Sequence, residues 1–153
     1  MKRGLVAVAA GAFALGFAEF VMMGILPMVA AGVGVSVPAA GSFISAYAIG
    51  VCFGTLILVF GHAAAPKRLL VLFMALVAIG NAMAACAPDA ATLTVARFVS
   101  GLPHGAYFGT ATIVAKALAE RGGEGKAVST MVLGQTLANT VGVPGGTLLA
   151  TLV

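Results

Sequence analysis

The chain has 153 residues, 61% of them hydrophobic and 8% charged, with a formal net charge of +4. A soluble domain is about 25% charged, and the only acidic residues, Glu19, Asp89, Glu120 and Glu124, cannot cover the surface of one this long. Together with a mean hydropathy of +1.15, this excludes a soluble fold. The apolar runs are long and do not alternate, which excludes a transmembrane β-barrel and leaves an all-α polytopic membrane protein.

The N-terminal stretch "MKRGLVAVAAGAFALGF" begins like a signal peptide, with two basic residues and then an apolar run. The run continues to about Val29, past signal-peptide length, so it reads as a retained first span. Five segments are long enough to cross a bilayer at about 20 residues each: 5–29, 39–61, 68–87, 91–118 and 127–153. Short connections rich in turn formers join them: "GVGVSVP", "GHAAAPKR", "APDA" and "ERGGEGK".

Basic residues set the expected orientation. Lys2 and Arg3 precede the first segment, Lys67 and Arg68 lie between the second and third, and Lys116, Arg121 and Lys126 surround the last connection. The connections at 30–38 and 86–91 hold no Lys or Arg. The basic side is cytoplasmic by the positive-inside rule, so the N-terminus is inside and a fifth crossing leaves the C-terminus outside. The positive charge thus reports topology, and a nucleic-acid partner is not expected. Cys52 and Cys86 have no metal or redox spacing and read as small buried apolar residues.

Small residues recur every fourth position. The second segment has Ser42, Ala46, Gly50 and Gly54, the fourth Gly101, Gly105 and Gly109, and the fifth Thr130, Gly134, Ala138, Gly142 and Gly146. Such ridges let helix backbones approach closely in lipid. They serve either as plain packing surfaces or as surfaces along which helices slide.

Two charges fall deep within the spans, Glu19 and Arg97. Glu19 is about 21 Å from the inner end of its helix and Arg97 about 9 Å from the outer end of its own. In a core about 30 Å thick both lie at one level, so they can pair or face one aqueous cavity if the first and fourth helices are neighbours. A carboxylate at mid-bilayer costs about 2.5–3.5 kcal/mol on insertion scales, and that cost marks Glu19 as functional, the alternative being a structural ion pair. His104 follows Arg97 by seven residues on the same helix face and is a second candidate proton carrier, or else a neutral hydrogen-bonded histidine. Pro103 beside it predicts a kink or local opening. Gln135 and Asn139, four apart, and the aromatic Tyr47 and Tyr107 are candidate substrate-lining residues; interhelical packing is the plainer reading of all four. No enzyme motif, metal-ligand set or phosphate loop is present, so no catalytic residue and no cofactor is expected.

"ARFVSGLPHGAYFG" resembles the R-x-x-x-G-x-x-x-G motif of major facilitator superfamily transporters, and "GQTLANTVGVPGG" resembles that superfamily's antiporter motif. "GFAEFVMMGILPMVAAGVGVSVPAAG" is similar to the first helix of its drug/proton antiporter branch, which includes sugar, arabinose-type and drug efflux permeases. The likeness runs along all 153 residues. It implies proton-coupled efflux of small amphipathic molecules by alternating access, in a bacterial inner membrane. It implies a proton-coupling role for Arg97, a proton- or substrate-binding role for Glu19, and a leak-limiting bend at Gly134, Gly142, Pro144, Gly145 and Gly146. Two features depart from the pattern. The second connection, "FGHAAAPKRLL", keeps Lys67 and Arg68 but lacks the family's acid. The superfamily also has two six-helix halves, so the chain reads as a truncated N-terminal portion whose C-terminal half is the missing partner. The alternative is a small membrane interaction subunit that transports nothing.

Overall fold

The computed structural model describes residues 2–61 and 64–152, and side chains over 3–56 and 64–152. Among the described residues there are helices and turns but no strand. The helices are α1 (Lys2–Gly32), α2 (Val37–Gly61), α3 (Pro66–Ala85), α4 (Ala90–Ala117), α5 (Glu124–Leu137) and α6 (Val143–Leu152), with a π-helical turn at Ala138–Gly142 joining the last two. Among the described residues three stretches are long and apolar enough to cross a membrane: Arg3–Gly32, Val37–Leu56 and Pro66–Ala85. Helix α4 has the length but carries Arg97, His104 and Lys116, while α5 and α6 are separately short.

Local chemistry explains the boundaries. Gly34 and Gly122 adopt φ values of 70° and 76°, which favour glycine, and turn the chain after α1 and before α5. Pro66 starts α3, where its missing N–H costs nothing. Asp89 caps α4 by accepting a 2.8 Å hydrogen bond from the Thr92 N–H. That bond holds the Asp89 carboxyl below the usual aspartate range. Helix α4 continues unbroken through Pro103, so the local opening expected there is absent. The interruption falls in the fifth segment instead. Pro144 has no N–H for the Thr140 carbonyl four residues earlier, and the backbone widens into a π turn just before it.

Helix α4 is the central element, packed along α2 and α3, while α1 packs along α5 and α6 and also touches α2 and α4. The fourth-position ridges lie in these seams. A Cβ on Gly54 would fall on the Leu102 carbonyl, and one on Gly134 would fall on that of Ala9. Close backbone approach therefore holds α2 to α4 and α5 to α1. One buried cluster joins Leu15, Phe73, Ala111 and Met131 from four helices; a smaller one holds Ala30, Ala40, Phe43 and Leu93. Large apolar side chains such as Val71, Ile79, Ile113 and Leu149 face outward. Cys52 and Cys86 are exposed rather than buried: in a protein surrounded by hydrocarbon, an apolar residue gains nothing from facing inward. Residues 62 and 63 of the altered second connection lie outside the described residues.

Candidate functional site

Helices α1, α2 and α4 bring four side chains together: Glu19, Tyr47, Arg97 and His104. Arg97 is 2% exposed. Its Nη1 donates to the Ala18 carbonyl at 2.8 Å and its Nη2 to the Glu19 carbonyl at 3.4 Å. Its guanidinium also lies over the Tyr47 ring, 4.4 Å from the centroid, a cation–π contact strengthened by burial. Its Nε has no partner among the described residues.

The Glu19 carboxylate turns the other way. Its Oε2 lies 3.6 Å from His104 Nε2, an electrostatic contact longer than a hydrogen bond. His104 Nδ1 is 2.9 Å from the Tyr47 hydroxyl. The Phe108 ring, centred 5.1 Å from the imidazole, covers another side of it. Glu19 keeps 29% side-chain exposure and His104 11%, so the cluster is reached from the Glu19 end.

Glu19 and Arg97 were expected either to pair or to face one aqueous cavity; among the described residues their side chains form no ion pair, and the carboxylate lies nearest His104. In a helix, side chains lean toward the N-terminus and carbonyls point toward the C-terminus. Helices α1 and α4 run antiparallel, as the contacts Val8–Tyr107 and Ala18–Arg97 show. The Glu19 carbonyl therefore faces back toward the start of α4, where Arg97 sits. Its carboxylate leans forward along α4, to His104 two turns on. One residue of α1 thus engages Arg97 and His104 of α4 through different atoms.

The other candidates scatter. Tyr107 is buried and donates a 2.8 Å hydrogen bond to the Val8 carbonyl within the main core cluster. It is an α1–α4 packing residue rather than a neighbour of Glu19. Gln135 is half-buried, its Cγ against the backbone of Gly16, and Asn139 is exposed. Gly134 and Gly146 of the fifth segment pack on α1, at Ala9 and at Phe17 and Val21 respectively. Gly142 faces Phe13 and Phe17, while Pro144 and Gly145 are exposed. The tie between Tyr47 and His104 was missed from sequence. Residues on two helices show no shared spacing, and only the tyrosine-to-histidine geometry across the α2–α4 seam reveals it. Among the described residues no group of three His, Cys, Asp or Glu side chains could hold a metal.

The arrangement is a polar cluster between three apolar helices, able to hold a negative charge or a proton near Glu19. Comparison with known proteins gives it a family. The model of the Major Facilitator Superfamily matches residues 8–153. The inner membrane transport protein YdhP of Escherichia coli (strain K12) is 46% identical over 145 residues, covering 94% of this chain and 37% of its own length. The putative transporter AraJ of the same organism is 44% identical over 151 residues, covering 98% of this chain and 38% of its own. A chloramphenicol resistance protein of Streptomyces lividans is 32% identical over 139 residues, covering 90% and 36%. The chain thus spans a little over a third of the length of the curated relatives it matches. No solved structure matches it. A model that matches nearly the whole chain, over a helical bundle with an acid–base cluster at its centre, settles the family: the chain belongs to the major facilitator superfamily.

Proposed function

We propose that this chain is the N-terminal portion of a proton-coupled efflux transporter whose acid–base cluster exchanges protons for a small amphipathic substrate. The observation that carries this reading is the position of Glu19. It is a carboxylate in an apolar helix, with Arg97 held against its backbone and His104 against its side chain. An ionisable group at this depth is functional by default. Proton entry neutralises Glu19, weakens its attraction to the basic groups of α4, and releases substrate as the cavity between the two halves opens to the far side. Return of the proton to the cytoplasm resets the site. The close seams at Gly54 and Gly134 make α2–α4 and α1–α5 the units that move.

The direction of transport rests on the helix-five antiporter motif and on the printed names of two relatives. One is the chloramphenicol resistance protein of Streptomyces lividans, the other a chloramphenicol efflux pump of Mycobacterium tuberculosis. The basic connections support a cytoplasmic N-terminus. The test is export by the full-length transporter across a panel of amphipathic drugs, with chloramphenicol included. Glu19→Gln is expected to abolish export while expression and membrane insertion persist. Export by that variant at the wild-type rate overturns the reading.

A further inference from the structure

The structure assigns Tyr47 as a positioning residue for proton exchange at Glu19: its hydroxyl bonds His104 Nδ1 as donor or acceptor, which keeps Nε2 turned to the carboxylate and couples the imidazole's proton arrangement to that of Glu19. The inference rests on the transport reading above for its biological meaning, but its geometry stands alone. His104 Nδ1 meets the Tyr47 hydroxyl at 2.9 Å, and Nε2 faces Glu19 Oε2 at 3.6 Å. A neutral imidazole has one N–H and one bare nitrogen, and what it bonds on one side fixes what it presents on the other.

The groups facing this imidazole are few. Helix α1 supplies Glu19 and α2 supplies Tyr47, while α4 itself carries Arg97 two turns back. The charged residues of α3 and α5 lie in their first turns, at Lys67, Arg68, Glu124 and Lys126, away from the site. With a neutral imidazole, two proton arrangements satisfy the geometry. With Glu19 ionised, the Tyr47 O–H donates to Nδ1, and the Nε2–H faces the carboxylate. With Glu19 protonated, its O–H faces a bare Nε2, and the Nδ1–H donates to the Tyr47 oxygen.

The step between them balances with one proton. Hydronium gives a proton to the Tyr47 oxygen and leaves as water, the Tyr47 O–H proton passes to Nδ1, the Nε2–H bond breaks, and that proton bonds to Glu19. Tyr47 ends as a neutral phenol again, its new O–H turned away from the imidazole, which is possible because its oxygen both donates and accepts. The ring is held in place for this by the Arg97 guanidinium lying over it at 4.4 Å and by the depth of Tyr47, which is 1% exposed. A phenylalanine at 47 would keep the ring and its cation–π contact and lose both hydrogen-bonding roles.

The test is nitrogen-15 imidazole NMR of the full-length transporter in lipid bilayers. His104→Gln assigns the signal, and the infrared carboxyl band that Glu19→Gln removes is followed alongside. In the wild type, His104 is expected as a single Nε2–H form while Glu19 is ionised, changing to protonation at Nδ1 as the Glu19 carboxyl band appears. In Tyr47→Phe the single form is expected to give way to a mixture, and the midpoint of the Glu19 band to move by about one pH unit. In the His104→Gln background, adding Tyr47→Phe is expected to move that midpoint no further. A Tyr47→Phe protein that melts like the wild type, with one unchanged tautomer and an unchanged Glu19 midpoint, overturns the assignment. None of these readouts involves substrate, so failure of the transport reading and failure of this one are seen separately.

Discussion

Arg97 makes its contacts through shape as much as charge. The planar guanidinium reaches two successive carbonyls of α1, those of Ala18 and Glu19, while its face rests on Tyr47. A lysine carries the same charge without the fork or the flat face. Arg97→Lys is therefore expected to lose transport nearly as fully as Arg97→Gln. Each replacement should also lower stability, by about 1.5–3 kcal/mol for each charged hydrogen bond lost; a thermal melt in detergent checks this. Rescue of both activity and melting temperature by lysine would show that charge alone matters. At the rim of the bundle, Asp89 is ionised more readily in the folded chain because the Thr92 N–H binds its carboxylate. Its contribution is present above the unfolded aspartate pKa and is lost as pH falls through the lower folded value. Asp89→Asn is accordingly expected to flatten the acid side of the stability profile by lowering stability near neutrality, where the ionised carboxylate contributes, and to leave it unchanged at low pH.

The same residues show how far a sequence reaches. Depth arithmetic along two apolar helices puts Glu19 and Arg97 at one level, and the structure sets the Arg97 guanidinium on the Glu19 carbonyl. It could not show which atoms would meet. Backbone carbonyls carry no sequence signature, and the lean of side chains along antiparallel helices decided that the carboxylate goes to His104. Tyr47 was legible only as an aromatic residue, since its partners lie on another helix. Tyr107, a candidate lining residue with packing as its plainer reading, donates to the Val8 carbonyl in the core.

At the scale of helices, the glycine ridges discriminate between contact and open positions. A Cβ at Gly54 meets the Leu102 carbonyl, whereas one at Gly41 of the same helix meets nothing within 4 Å. Gly54→Ala is expected to destabilise by about 1–3 kcal/mol through overpacking of the α2–α4 seam. Gly41→Ala is expected to be neutral or slightly stabilising, because alanine is the better helix former by up to about 1 kcal/mol. Equal effects in thermal melts would mean the seam is looser than it looks. The π turn at Ala138–Gly142 is a second element-scale feature. Composition pointed to one continuous fifth span; the proline that interrupts it was visible, but the extra width of the turn before it was not. Pro144→Ala restores an N–H for the Thr140 carbonyl and is expected to slow amide exchange across 138–144. Unchanged exchange there would assign the turn to packing against Phe13 and Phe17 instead.

For the whole molecule, the apolar runs carried the fold class, because a chain this poor in charge has no other way to satisfy its backbone than as helices in lipid. The two arms of the bundle, α2 and α3 on α4, and α5 and α6 on α1, meet at the acid–base cluster. On the proposed reading, a proton that changes the charge of Glu19 would act where the arms join. The most direct measurement is transport by the full-length protein in proteoliposomes, comparing substrate movement driven by a pH gradient with exchange of substrate for substrate at equal pH. The account expects Glu19→Gln to lose the gradient-driven movement and keep the exchange, since only the first needs the carboxylate to take up and release a proton. A Glu19→Gln transporter still driven by the gradient at the wild-type rate would contradict it.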